Sequence, residues 1–471
     1  MVYSLRKEAE VITVLYFRDD EKNRLRIFCE RENTKAMAIY GRRRTGKTAL
    51  MLDFLAGDGK DRTIYYQCTS FDYRTCLADF TAVLTTALGE NGVLRSLDSF
   101  RDVFSYLCDT GKAAGKIIVI DEFPFLAKKD ENVVVEFQWI IDHALRGMKL
   151  VLLGSSLSFM KKQLNDSESP LYGRFDEILR IRPFSFSEVH SLFPVFEDAV
   201  NVYAQTGGVA QYVMFFLNYS SVKEATGELF LDRNGRLLQE APNLLMQELR
   251  EITTYTTILR SIGSGEKDTG KLAAKCGMDT RNIFVYLRKL ADLEIVSAVE
   301  NPLSGRKTGQ RYRISDSFFR FHYAFIEPNI SMITELGKNA EPYVLNEQYS
   351  EFLGFVYEDI VRSACFEYAR KGMFPFMPRT VAKWWGNIQE DGTWHESEID
   401  VIAYDDHQII LGECKYRSKA VGLAELDSLK KKSSFIPVKD RKVYYLLASK
   451  SGFTRDLEAL EDDRLLLLKN A

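Results

Sequence analysis

The chain has 471 residues, with 63 Lys and Arg against 66 Asp and Glu and a formal net charge of −3. That length suits about three domains of ~100–200 residues each, and the balanced charge excludes a protein that coats polyanions with its whole surface, so contact with nucleic acid has to come from a local patch. The seven scattered Cys never form C-x-x-C and the five His never form H-E-x-x-H, which excludes those zinc patterns and fits reduced thiols in a cytoplasm.

The stretch before residue 17 carries Arg6, Lys7, Glu8 and Glu10 and lacks the long apolar core and cleavage site of a secretion signal. No uncharged apolar run approaches ~20 residues, so no transmembrane helix and no membrane partner is expected. Residues 24–32 read as a helix that turns Leu25, Ile27 and Phe28 inward. An apolar run, 36–40, then leads into Gly41-Arg42-Arg43-Arg44-Thr45-Gly46-Lys47-Thr48, and a helical pattern follows from Ala49. The octapeptide matches G-x-x-x-x-G-K-[ST] in the strand, loop, helix context that a phosphate-binding loop requires. Gly41 and Gly46 let backbone N–H groups turn onto phosphate oxygens at a helix N-terminus, Lys47 supplies positive charge to the β- and γ-phosphates, and Thr48 offers a hydroxyl to Mg²⁺.

Further apolar, strand-like runs occur at 63–68, 117–120, 150–153 and 178–181, with helical patterns at 74–88, 100–114 and 133–146 between them. Strands alternating with helices predict a parallel sheet covered on both faces. The run 117–120 ends in Asp121-Glu122, placing two carboxylates at the C-terminal edge of a buried strand, where open α/β sheets bind ligands. Asp121 then holds Mg²⁺ through water and Glu122 polarises the attacking water, a pairing that implies ATP hydrolysis rather than binding alone; a capped helix start is the competing reading. At the tip of the next strand, the Ser155 hydroxyl either senses the γ-phosphate or orients the water, or simply sits in a turn. Arg174 is read as an arginine finger acting on a neighbouring copy, which implies a homo-oligomer, or else as a solvated residue beside a turn.

Together, G-R-R-R-T-G-K-T at 41–48, I-D-E-F-P-F-L at 120–126, L-Y-G-R at 171–174 and T-G-G at 206–208 resemble the prokaryotic, often archaeal, AAA+/STAND-like ATPases. The resemblance implies an ATPase core followed by a winged helix and a nuclease-like domain. Two departures stand out. The base-contacting Phe-x-x-Arg-x-x-Glu of that family is represented by Phe17-Arg18 with Glu21, and Ala210 replaces the usual Pro after Gly207-Gly208.

From 202 to 249 a helical pattern broken at Gly207-Gly208, Gly227, Gly235 and Pro242 suits a small lid. Helices at 255–262, 269–276 and 280–293 and a hairpin of 295–300 with 310–314 predict a winged helix. Its recognition helix is 280–289, and Arg306, Lys307, Arg311 and Arg313 lie on or near the wing. Residues 267–320 hold eleven Lys and Arg against six Asp and Glu, the local surplus that contact with DNA requires.

Toward the C-terminus, a helix at 350–370 carries Glu358, and strands at 398–403 and 408–415 flank the turn Asp405-Asp406-His407. A hairpin centred between Asp406 and His407 sets Asp400 opposite Glu413, with Lys415 on the face of Glu413. Facing acids with a lysine suit a divalent metal better than a plain core. The pattern resembles the PD-(D/E)xK nucleases, with Glu358, Asp400 and Glu413 as metal ligands and Lys415 at the phosphate. A surface hairpin with a Glu–Lys pair is the bland alternative, and Lys430-Lys431-Lys432 lines either a phosphate path or a solvated helix face.

The expected organisation is α/β throughout: a P-loop ATPase domain with a parallel sheet at 1–200, a helical lid at 201–250, a winged helix at 251–325, a connector at 326–349 and an α/β restriction-endonuclease-like domain at 350–471. The expected function is an Mg²⁺-ATP-dependent ATPase that engages DNA and carries a metal-dependent nuclease-like domain using Mg²⁺ or Mn²⁺. The alternatives are an ATP-regulated DNA-binding or scaffold switch whose nuclease-like domain only binds, and an oligomeric regulator acting on protein.

Overall fold

The computed structural model describes residues 17–470 apart from 71, 91, 129, 300, 302, 304–310, 391, 392 and 439. Arg306 and Lys307, expected on the wing, therefore lie outside the described residues. The chain folds as two compact units: one contains the described residues up to Phe184 with Val209–Tyr212, the other Ser185–Gly208 with the residues from Val213 onward. Among the described residues no helix is long and apolar enough to cross a membrane.

In the first unit, helix α1 (Asp19–Glu30) precedes strand β1 (Ala36–Tyr40) and helix α2 (Lys47–Ala56). Helix α1 starts at Asp19 rather than at 24. Asp19, Asp20 and Glu21 fill its first turn, where acids favour the positive end of the helix dipole, and their polarity hides that turn from a search for apolar periodicity. There follow β2 (Thr63–Gln67), α3 (Tyr73–Leu88), α4 (Phe100–Thr110), β3 (Ile117–Asp121), α5 (Phe123–Ala127), α6 (Glu131–His143), β4 (Lys149–Gly154), α7 (Leu157–Asn165) and β5 (Glu177–Arg180). Helix α4 stops at Thr110 instead of reaching 114 because Gly111 adopts φ 68°, a left-handed cap.

The five strands are parallel in the order β2-β3-β4-β1-β5. Alternate residues of β3 and β4 enter opposite cores. Ile118, Ile120, Leu150 and Leu152 pack with Phe80, Phe104 and Phe137, while Ile117, Val119, Val151 and Leu153 pack with Leu25, Phe28 and Met51. Burial on both faces is why these strands are apolar without alternation. With β4 between β1 and β3, the strand ends carrying residues 41–48, Asp121 and Ser155 share one edge.

The second unit contains α8 (Phe196–Thr206), α9 (Ile252–Gly263), α10 (Thr269–Lys275), α11 (Thr280–Asp292), the antiparallel pair β6 (Val296–Val299) and β7 (Arg311–Ile314), and α12 (Ser317–Phe321). After α13 (Glu347–Arg370) comes a mixed sheet of β8 (Thr380–Glu390), β9 (Thr393–Tyr404), β10 (Gln408–Lys415), β11 (Lys442–Ser449) and β12 (Leu465–Lys469), ordered β12-β11-β10-β9-β8. Strands β8, β9 and β10 are antiparallel, and β10, β11 and β12 are parallel, with helix α14 (Leu423–Ser433) crossing over between β10 and β11.

A π-helical turn, His322–Ile326, follows α12 and buries His322 to 2 % exposure among aromatic rings. Neither ring nitrogen has a hydrogen-bond partner among the described residues, and burial pushes its pKa down to about 3. The folded protein keeps this imidazole neutral while the unfolded chain takes a proton near pH ~6.5, so stability is lost as pH falls from about 6.5 toward 3, by about 1.4 kcal/mol per unit. His322→Leu is therefore expected to flatten the fall in urea midpoint between pH ~6.5 and ~5. An unchanged slope would contradict the assignment.

Candidate active site

The loop 41–48 joins β1 to α2, and two of its positions admit little but glycine. A Cβ on Gly41 would stand 2.2 Å from the Ile181 carbonyl oxygen, and Gly46 caps α2 with φ 100°. Arg44 also holds a left-handed φ of 67°, a strain that recurs at functional turns. Lys47 is 5 % exposed, and its Nζ donates to the carbonyls of Gly41 and Arg42, both at 2.9 Å. Burial pulls its pKa down to about 8, against the opposing attraction of Glu122 and Asp121. Thr45 Oγ1 closes the loop by donating to the Arg42 carbonyl at 2.7 Å. Arg43 lies with its guanidinium 5.7 Å from the Phe125 ring centre, its Nε buried without a hydrogen-bond partner among the described residues.

Strand β3 delivers Asp121 to the loop. Its Oδ2 accepts from Thr48 Oγ1 at 2.9 Å and from the Tyr65 hydroxyl at 2.7 Å, while Oδ1 accepts from the Glu122 amide at 2.7 Å. Burial, then the charge of Asp121, raises the Tyr65 pKa far above its ordinary value, so this phenol keeps the proton it donates to Asp121. Glu122 takes a left-handed φ of 55°, and its Oε2 accepts from Ser155 Oγ at 2.7 Å. Ser155, just beyond β4, thus touches the carboxylate expected to handle water. Thr48 and Asp121 offer the hard oxygens that Mg²⁺ takes, and the glycine at 41 lets the loop pack against the Ile181 carbonyl.

Arg174 is not brought to this cluster. Its Nε donates to both Asp142 oxygens at 3.1 and 3.2 Å. Arg18, read only through family resemblance as part of a base contact, lies at 4 % exposure and donates to the carbonyls of Thr45 at 3.0 Å and Arg182 at 2.7 Å, with Glu21 at 3.0 Å on its other nitrogen. It braces the loop from behind. Tyr65 escaped the sequence reading because it lies inside an apolar strand, and the bracing contact of Arg18 escaped it because that contact joins residues far apart in sequence.

In the second unit Gly412 pairs with Val401, so Glu413 stands level with Asp400, the register that the turn at 405–407 predicts. Asp400 is 8 % exposed and its Oδ2 accepts from the Cys414 amide at 2.9 Å. Burial, then Glu358 and Glu413, pushes its pKa up to about 7. Lys415 Nζ reaches Glu413 at 2.7 Å, and Lys432 donates to both Glu413 oxygens at 3.2 and 3.3 Å, which draws one member of the lysine run into the cluster. Glu358 Oε2 lies 3.2 Å from Lys383 and 3.5 Å from Arg362. Carboxylates suit a divalent ion, yet among the described residues no group of three or more His, Cys, Asp or Glu is arranged to hold one. The acids turn instead toward Lys and Arg.

Helix α11 buries Ile283, Leu287 and Leu290 and exposes Arg281, Asn282, Phe284, Val285, Arg288 and Lys289. The basic residues of β7 behave differently from the expectation for a free wing. Arg311 pairs with Glu396 at 2.7 Å and lies over the Trp385 ring at 5.4 Å, and Arg313 pairs with Asp359 at 2.5 Å. Asp359 also holds Arg320 at 3.0 Å and Arg362, whose other nitrogen donates to the Asp400 carbonyl. These charges are paired with carboxylates of the same unit, although Arg311 and Arg313 stay partly exposed.

A parallel sheet in the order 2-3-4-1-5, a glycine-rich phosphate loop and an Asp–Glu pair on the adjoining strand ends define a P-loop ATPase. Residues 15–216 match a family model described as "ATPase domain predominantly from Archaea", and this part of the chain is an ATPase domain. Residues 322–431 match a second model, described as "Archaea bacterial proteins of unknown function". An uncharacterized protein of Methanocaldococcus jannaschii, MJECL04, is 29 % identical over 451 residues, covering 92 % of this chain and 95 % of its own length. Among solved structures, a Walker-type ATPase of Pyrococcus abyssi is 18 % identical with a TM-score of 0.49, covering 66 % of this chain and 96 % of its own. The ORC2 protein of Aeropyrum pernix is 13 % identical with a TM-score of 0.42, covering 68 % and 94 %.

Proposed function

We propose that the protein is an Mg²⁺-ATP-driven switch that engages DNA through a winged helix formed by α9 to β7 and carries a restriction-endonuclease-like domain at its C-terminus. The single observation that supports the hydrolytic part best is the Ser155–Glu122 hydrogen bond beside Asp121 and Thr48. In this reading the backbone of 41–48 and Lys47 bind the phosphates, Thr48 and Asp121 hold Mg²⁺, and Glu122, oriented by Ser155, takes the proton of the attacking water. Mg²⁺ supplies charge neutralisation at the β- and γ-phosphate oxygens. Arg174 serves a neighbouring copy, leaving Asp142 to do so.

DNA contact falls to the exposed face of α11, since Arg311 and Arg313 are already paired. Replacing Arg281, Arg288 and Lys289 together with Ala is expected to weaken retardation of duplex DNA and to lower the slope of log affinity against log salt by about 2–3, while Arg311→Ala leaves that slope within about 0.5. Salt-independent binding, or equal losses in the two proteins, would overturn this assignment.

For the C-terminal domain, Glu358, Asp400 and Glu413 are the carboxylates for a divalent ion, Mg²⁺ or Mn²⁺, and Lys415 the group for a phosphate. A second reading, in which this domain binds without cleaving, is favoured by the Lys and Arg contacts of all three acids. Plasmid incubated with wild type and Asp400→Ala in Mn²⁺ separates the two: cleavage lost in the variant supports catalysis, and intact plasmid with both supports binding.

A further inference from the structure

Tyr65 belongs to no phosphate-loop motif, yet its hydroxyl ends on the carboxylate read as serving Mg²⁺. Strand β2 sets Gln67 opposite Asp121 and Tyr65 opposite Val119, so Tyr65 lies on the same face of the sheet as the acid, one strand repeat before it. Its ring packs against the apolar cluster that includes Met51, Val119 and Leu153, and its hydroxyl reaches on to donate to Asp121 Oδ2 at 2.7 Å. Thr48 Oγ1 donates to the same oxygen at 2.9 Å from the phosphate loop, and the Glu122 amide holds Oδ1 at 2.7 Å. Asp121 is 0 % exposed, and among the described residues it forms no ion pair with Lys or Arg. Lys47 feels its charge but directs its hydrogen bonds to the Gly41 and Arg42 carbonyls. A buried carboxylate held by three neutral donors and by no paired cation keeps its negative charge for an ion. Thr48 has one hydroxyl proton. While that proton goes to Asp121, an oxygen lone pair faces away from the acid, as a Ser or Thr hydroxyl that serves Mg²⁺ requires. The arrangement lasts only while the carboxylate stays in place to accept. Tyr65 opposes its rotation, because the phenol approaches Oδ2 from a packed strand rather than from the loop that takes the nucleotide.

We propose that Tyr65 is a positioning residue that fixes the Asp121 carboxylate for the divalent ion accompanying ATP. The proposal rests on the reading of Thr48 and Asp121 as the Mg²⁺ residues. It gives the phenol a task separate from packing, since a phenylalanine ring fills the same space against the cluster without the hydrogen bond.

The test is calorimetric binding of a non-hydrolysable ATP analogue with a β,γ-imido bridge to the full chain, once in excess Mg²⁺ and once in EDTA, for wild type, Tyr65→Phe and Asp121→Asn. Wild type is expected to bind more tightly with Mg²⁺ than in EDTA. Tyr65→Phe should match wild type within about twofold in EDTA and bind about tenfold more weakly in Mg²⁺, because losing an outer hydrogen bond to a group that serves a metal typically costs ~10–100-fold in metal affinity. Asp121→Asn should lose the Mg²⁺ effect altogether. Equal affinities of wild type and Tyr65→Phe under both conditions, with Asp121→Asn still deficient in Mg²⁺, would overturn the role of Tyr65 and leave the Mg²⁺ reading standing. Equal losses by Tyr65→Phe with and without the ion would show a packing role and overturn the proposal as well. A full Mg²⁺ effect in Asp121→Asn, or none in wild type, defeats the Mg²⁺ reading and takes the proposal with it.

Discussion

Glu122→Gln is expected to lower steady-state ATP turnover by about two to three orders of magnitude while leaving ATP affinity within about twofold. The substitution keeps the shape of the side chain and an oxygen able to accept from Ser155, so the loop, Asp121 and Thr48 remain as they are. What is lost is the basicity that takes a proton from water as it attacks. The backbone at this residue argues for the same role. Glu122 holds a left-handed φ of 55°, a conformation costing about 1–3 kcal/mol for a residue with a side chain, which persists where the surrounding structure over-determines it. The flanking contacts do over-determine it: the amide is tied to Asp121 and the carboxylate to Ser155. Ser155→Ala should produce a smaller loss, because it frees the carboxylate without removing it.

The second large effect concerns stability. Asp359 is 19 % exposed and carries the charge that balances Arg313, Arg320 and Arg362, and those guanidinium groups, Arg320 foremost, hold its carboxyl well below the usual range despite burial. Asp359→Ala leaves three cations facing one another, and removing one partner of a largely buried ion pair costs about 3 kcal/mol. The loss should appear as a lowered urea midpoint for the second unit. Arg313, the most exposed of the three at 39 %, should cost under ~1 kcal/mol when replaced by Ala. Equal losses for the two variants would show that the network is not organised around Asp359.

Much of the ATPase domain was legible in the sequence because its strands are buried on both faces and therefore uninterrupted in their apolar character, and because Gly41, Gly46, Lys47 and Thr48 are demanded by backbone geometry and charge at fixed spacing. The hairpin of Asp400 and Glu413 was legible for a related reason: period-two alternation and a polar turn determine register. What stayed hidden acts across sequence distance. Lys383 meets Glu358 on a helix 25 positions away, Arg362 reaches the Asp400 carbonyl from a helix, and Arg18 braces the loop from 27 positions away. The strand pair β6–β7 illustrates the converse error. A surplus of Lys and Arg locates a basic segment, but Arg311 and Arg313 find Glu396 and Asp359 within the same unit, and charge counting along the chain does not show where carboxylates fold back.

The most direct test of the ATPase assignment measures, on the same samples of wild type and Glu122→Gln, the ATP bound at equilibrium and the phosphate released over time in Mg²⁺. The account predicts equal ATP bound by the two proteins and phosphate release only by wild type. Phosphate release by Glu122→Gln at the wild-type rate would contradict it.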